Sequence, residues 1–162
     1  MAELTHPHQT YLAAALAWLD ARLERDIRCW QLAGQDPSDR FRGLYLSDAA
    51  ALDLARRGAG GQWGTGVDLP EEEEKRLFAA QESARQAMRD LESGPAPRLK
   101  ALQSRFALTD FEWWAFIICL APAVDLRYER IYGFLQDDVT RTCASVDLIL
   151  NLLLPEAGLS RL

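Results

Sequence analysis

A spacing of three to four residues between apolar side chains, recurring in separate long segments, most constrains what this chain can fold into. From Thr10 to about Leu32 the positions Leu12, Leu16, Leu19, Leu23, Ile27 and Trp30 keep that spacing, with Asp20, Arg22, Glu24, Arg25 and Arg28 between them. One apolar stripe on an otherwise polar cylinder predicts a long amphipathic helix, ended by Gly34. Leu77, Ala80, Ala84, Met88 and Leu91 repeat the pattern at heptad-like intervals. Pro70 suits the first turn of this second helix, and Glu71 to Glu74 place carboxylates where the helix dipole is positive. Neither stripe can remain in water, so the two helices are expected to pair as an antiparallel hairpin.

Between them, GQDPSDRFRGLYLSD is rich in turn formers, and Ser47 and Asp48 offer N-caps to a shorter helix through AALDLARR. GAGGQWGTGVDLP reads as a mobile linker in preference to a turn that lets Trp63 dock. SGPAP, Ser93 to Pro97, breaks the second long helix, and composition shifts after it from charged and Ala-rich to apolar and aromatic. This predicts an N-terminal helical region over 1–94 and a second unit over 98–162. In the second unit RLKALQSRFA is a short helix. Thr109 and Glu112 form a capping box ahead of FEWWAFIICLA, which is apolar on most faces and is expected to be the central, buried helix, stopped by Pro122. Asp125 can cap a helix through LRYERIYGFLQ, and Ser145 one through VDLILNLLL, ended by Pro155. Short helices joined by tight turns suit a helix-turn-helix or winged-helix core. The expected class is all-α: a helical hairpin packed with a helix-turn-helix or winged-helix-like unit.

Composition narrows function. The chain has 162 residues, 49% hydrophobic and 26% charged, enough for a real core. Its longest apolar run, Trp113 to Val124, is broken by Pro122 and falls short of the roughly 18 residues a membrane span needs. The first residues lack the basic segment and cleavage site of a secretory signal. Cys29, Cys119 and Cys143 are widely spaced, without a CxxC, and read as reduced, packing thiols. A cytoplasmic location is expected. The net charge of −6, with no dense Lys/Arg cluster, makes nucleic acid a poor first partner.

No catalytic set assembles. His6 and His8 are the only histidines and lie near the terminus without a ligating cluster. GAGGQWGTG lacks the Gly-Lys-Ser/Thr ending of a phosphate loop. Asp137 and Asp138 read as turn and capping residues in preference to a cation site. Catalytic, metal and cofactor-binding residues are therefore expected to be absent. Trp113, Trp114, Tyr128 and Tyr132 are candidates for contact with a partner, since aromatics dominate binding hot spots, with core packing expected for at least half of them. On a recognition helix VDLILNLLL would need polar side chains for reading bases, and Asn151 alone qualifies.

The phrases LAPAVDLRYERIYGFLQDDVTR and SVDLILNLL, within Leu99 to Leu154, resemble the N-terminal region of a family of large bacterial AAA-type ATPases often encoded beside contractile injection systems. FRGLYLSD is also similar, which extends the resemblance over most of the chain. It implies a variant winged-helix domain, preceded by a helical stretch and followed by an ATPase module. Nothing in this sequence resembles GxxxxGK[ST] or the acidic motif that phosphoryl transfer requires. What the resemblance implies is thus a non-catalytic adaptor that engages a protein partner, with ATP, magnesium and hexamer formation belonging to a module beyond this chain. A nucleic-acid-binding winged helix and a stand-alone helical scaffold are the alternatives.

Overall fold

The computed structural model describes residues 7–33, 48–56 and 67–154. These form seven helices and no strand: α1 (Pro7–Leu32), α2 (Asp48–Arg56), α3 (Glu71–Glu92), α4 (Arg98–Arg105), α5 (Asp110–Val124), α6 (Arg127–Leu135) and α7 (Val146–Leu153). The class is all-α, as the sequence leads one to expect. Gly34, the capping position Ser47, the glycine-rich segment through Gly66 and Pro155 lie outside the described residues.

Helices α1 and α3 form the antiparallel hairpin. The start of α3 meets the end of α1, where Arg25 Nε bonds Glu74 at 3.0 Å and Arg28 Nε bonds Glu73 at 2.7 Å. At the opposite end Tyr11 donates to Glu92 at 2.9 Å. Leu77, Ala84 and Met88 are buried in the seam and Leu91 partly so, but Ala80 faces solvent. From Leu77 the inward face advances four residues to the partly buried Gln81 and three more to Ala84, which leaves Ala80 just outside the contact. Pro70 sits one position earlier than expected, at the N-cap, with its carbonyl accepting from the amides of Glu73 and Glu74.

Within the second unit α5 is the central helix as expected, in contact with both α6 and α7, but in the whole fold the helix that the others gather around is α1. The first helix packs against α3, α4, α5, α6 and α7, while α5 exposes Phe111, Cys119 and Val124. Its ring of small residues explains the difference: Ala14, Ala15 and Ala21 are buried beside Tyr11, Trp18, Leu19 and Leu23, so neighbours approach from several sides. One core joins Trp18, Leu19 and Leu23 of α1, Ala84 of α3, and Ile118, Tyr128, Tyr132, Leu148 and Leu152 of α5 to α7. The hairpin and the C-terminal helices therefore share their apolar interior.

Pro122 does not stop α5, which continues to Val124. Proline has no amide hydrogen, so the carbonyl of Ile118, four residues earlier, loses its helical donor. The Tyr132 hydroxyl on α6 supplies one at 2.7 Å. The break in the hydrogen-bond ladder thus becomes the point where α6 is fastened to α5.

The other helix ends follow their local chemistry. Thr109 and Glu112 make both bonds of a capping box, and Ser145 Oγ accepts from the Leu148 amide at 3.2 Å. Asp125 Oδ1 accepts from the Arg127 amide at 2.9 Å. After α6, Asp137 takes a left-handed conformation, φ 51°, and the amides of Asp137 and Asp138 donate back to Phe134 and Gly133 at 3.3 and 3.0 Å. That is a Schellman ending. Ala107 closes α4 in the same way, with φ 51°.

Candidate functional site

The aromatic residues singled out from sequence divide sharply. Tyr128 and Tyr132 are 0% exposed and Trp113 is 3% exposed. These three rings are enclosed where α5 and α6 meet the first helix, in keeping with the core packing expected for at least half of the four. Tyr128 donates to Asp20 Oδ1 at 2.8 Å, and Arg127 Nη2 bridges the Tyr128 hydroxyl at 3.0 Å and Asp20 Oδ2 at 2.6 Å. Burial, followed by the bond to Asp20, pushes the Tyr128 hydroxyl well above the ordinary tyrosine range; burial does the same to Tyr132. Neither hydroxyl ionises near neutral pH. Trp114 is partly exposed and stacks on Trp18, with ring centroids 3.7 Å apart and planes at 25°.

That stack lies in an open cleft of about 680 Å³ where α1, α3, α4, α5 and the end of α7 converge. Trp18, Trp113, Trp114 and Met88 supply apolar surface. Four cations line it, Arg22, Arg85, Arg89 and Lys100, against two carboxylates, Glu92 and Asp110. Arg85 is itself paired with Glu82 at 3.0 Å, just outside the lining. Arg85 places its guanidinium 5.5 Å from the centre of the Trp18 ring, within range of a cation–π contact. Lys100 and Tyr11 both engage Glu92, at 3.2 and 2.9 Å, so that carboxylate is already neutralised.

Arg22 is the buried cation of this set, 8% exposed. Its Nε donates to the carbonyl of Leu152 at the end of α7. Its Nη2 lies 3.9 Å from Asp26, an ion pair too long for a hydrogen bond. Burial lowers the Arg22 pKa and raises that of Asp26 to about 6, although Arg22 and Arg25 both pull the carboxyl the other way. Desolvation outweighs the mutual attraction of this pair.

Residues of the C-terminal turn are structural. Asp138 Oδ1 accepts from the Thr140 amide and hydroxyl at 3.0 and 2.6 Å, which holds its carboxyl below the usual range, and Asp137 forms the Schellman turn. His8 accepts from the Arg98 amide at 3.3 Å, joining α1 to the start of α4; His6 lies outside the described residues. Among the described residues no group of three His, Cys, Asp or Glu is placed to hold a metal ion, and no helix is long and apolar enough to cross a membrane. Cys29 is buried, whereas Cys119 and Cys143 are exposed, so packing describes the first better than the others.

Sequence reasoning missed Trp18, Arg22, Arg85 and Arg89. A signal was present for the first pair: a tryptophan and an arginine one helical turn apart share a face of α1.

A family model described as "Winged helix domain, variant" matches residues 8–160. The match spans both the hairpin and the C-terminal helices. Comparison with curated proteins and with solved structures finds no match.

Proposed function

The chain belongs to the variant winged-helix domain family, and from that premise we propose that it is a protein-binding adaptor, non-catalytic in itself, that presents a partner to an AAA-type ATPase motor. Winged-helix domains are binding modules for nucleic acid or protein. The observation that carries the choice of protein is the cleft, which sets the Trp18 and Trp114 stack beneath Arg85 with Arg89 also in the lining, a mix of aromatic and guanidinium groups typical of protein contact sites.

Helix α7 argues in the same direction. It carries no Arg or Lys, and Asp147 stands in its first turn. Leu148 and Leu152 face the core, and the Asn151 amide donates to Asp147 O of its own helix at 2.7 Å. A base-reading helix needs cationic or amide groups free for base edges and phosphates. The acidic balance of the chain points the same way.

The connection to a motor is supported by the resemblance of LAPAVDLRYERIYGFLQDDVTR and SVDLILNLL to the N-terminal region of such ATPases. On this reading nucleotide and magnesium are held by a separate module, which also forms the hexamer, and the motor acts in the cytoplasm on the contractile injection apparatus. The test is competition. Immobilised chain should retain a protein from a lysate of the native bacterium, and excess duplex DNA at low salt should not displace it. Calorimetric titration with magnesium–ATP should give no heat of binding. Salt-sensitive DNA binding without protein retention overturns the choice of partner, and tight ATP binding overturns the division of labour.

A further inference from the structure

Two of the three cysteines stand where a small reagent can reach them. Cys29 is buried, its Sγ donating to the Val67 carbonyl at 3.5 Å, whereas Cys119 on α5 and Cys143 ahead of α7 are exposed.

The fold brings these two together by two routes. The end of α7 meets the start of α5, since Leu152, Leu153 and Leu154 share the cleft walls with Asp110, Phe111 and Trp114. Leu148 and Leu152 pack in one core with Ile118 and Ala121, so α7 runs back along α5. Both helices rise by the same step per residue, which sets the start of α7 about seven residues beyond Trp114, beside the second half of α5 that carries Cys119. Cys143 lies just ahead of that start. The second route runs through α6. The carbonyl of Ile118, next to Cys119, accepts from the Tyr132 hydroxyl at 2.7 Å, and Gln136 Nε2 donates to the carbonyls of both Tyr132 and Cys143, at 3.1 and 3.0 Å. Electrostatics agree with this placement: burial first, and then the charge of Cys143, raise the Cys119 thiol above its ordinary range. Each sulfur is within reach of the other's charge.

Accessible thiols on separate elements, poised beside a second thiol, suit reversible oxidation better than packing. In a reducing compartment such disulfides are transient and regulatory. We infer that Cys119 and Cys143 form a redox-responsive dithiol, closed by exchange with a low-molecular-weight disulfide and reopened by the corresponding thiol. Cys143 lies in the non-helical stretch 138–145, whose backbone can bring the sulfurs to bonding distance without unwinding a helix.

The Cys143 thiolate attacks one sulfur of the oxidant, whose S–S bond breaks, and one thiolate leaves. Cys119, held protonated by its surroundings, acts second: it gives up its proton, attacks the Cys143 sulfur of the mixed disulfide, and expels the other thiolate. The two cysteines lose two electrons and two protons, and the oxidant gains them as two thiols. The bridge ties α5 to the segment between α6 and α7, where Val139 and Val146 are exposed. It does not depend on which partner the chain binds.

The test uses the whole chain, fully reduced, incubated with oxidised glutathione, quenched with iodoacetamide and weighed intact. The result expected is a monomer that has lost two hydrogens and retains no glutathione, with Cys119 joined to Cys143 in the peptide map, and reduced glutathione should reverse it. Cys29→Ser should leave this unchanged. Cys119→Ser should stop at a mixed disulfide, gaining one glutathione on Cys143. A glutathione adduct that persists on the unaltered chain, a bond from either cysteine to Cys29 or to a second chain, or Cys119 and Cys143 both alkylated after the incubation overturns the inference. The decisive reading is on the unaltered chain, so it stands whether or not a variant folds.

Discussion

The two sides of α1 are held by different physics. Toward α3 the contact is an apolar seam fringed by ion pairs in water: Arg28 with Glu73, Arg25 with Glu74, and Arg76 with Glu24 at 2.6 Å. Toward α5, α6 and α7 the contact is buried and aromatic, with its tyrosine hydroxyls engaged, Tyr128 on Asp20 and Tyr132 on the carbonyl that Pro122 leaves without a donor. Exposed pairs add little because water competes for both partners. Enclosed ones are unforgiving when broken, because the partner left behind has no replacement. The difference teaches that the first side sets how the helices align, and the second sets which single packing they adopt.

The sharpest way to break this comparison is Ile118→Ala. Ile118 is 0% exposed and belongs to the core shared by α1 and α5 to α7, so chemical denaturation should show a loss of about 2–5 kcal/mol. A loss below about 1 kcal/mol would mean that this side is loosely packed.

Asp26 gives a pH signature of comparable size. Its folded pKa, about 6, lies above the ordinary 3.8, so between about pH 4 and 6 the folded chain holds a proton that the unfolded chain has released. Stability contributed by this group therefore falls as pH rises through that window and stays low above it. The difference in unfolding free energy between the native chain and Asp26→Asn should decline from pH 4 to 6 by on the order of 2 kcal/mol. A flat difference would place Asp26 in water, away from the buried Arg22.

Tyr132→Phe should cost about 1–3 kcal/mol, since the Ile118 carbonyl is then buried without any donor. Adding Pro122→Ala restores an amide in the right place. The second substitution should thus be more favourable in the Phe background than alone, a coupling that a double-mutant cycle measures directly. Additive effects would refute the exchange of donors between Pro122 and Tyr132.

The smallest effect is expected on the other side. Arg28→Ala removes an exposed partner of Glu73, and Tm should not move measurably. A clear drop in Tm would make the fringe of ion pairs a true determinant of the hairpin.

What could be read from the sequence follows the same division. The hairpin was legible because Leu19, Leu23, Leu77 and Met88 repeat with helical period and one-sided polarity. The caps at Thr109, Asp125 and Ser145 were legible because capping is local chemistry. Packing between distant segments was not. VDLILNLLL and WWAFIICLA are apolar enough to suit any core, so nothing in their spacing says that α1, with its small Ala14, Ala15 and Ala21, is the helix others gather around. Pro122 reads as a stop because a lone sequence cannot reveal that Tyr132 waits to accept its role as donor. The cleft was hidden for the same reason: Trp18 and Arg22 share a face in any helical reading, but that their donors end up enclosed without acceptors depends on α5 and α7 closing over them.

The most direct test of the account is hydrogen–deuterium exchange on the whole chain with and without its retained protein partner. The account predicts slowed exchange along the cleft walls, in the stretch of α1 around Trp18 and Arg22, in α3 around Arg85 and Arg89, and at the start of α5. Protection confined instead to α7 and the loop before it, with the cleft unchanged, would contradict it and return the chain to a helix-in-groove mode of recognition.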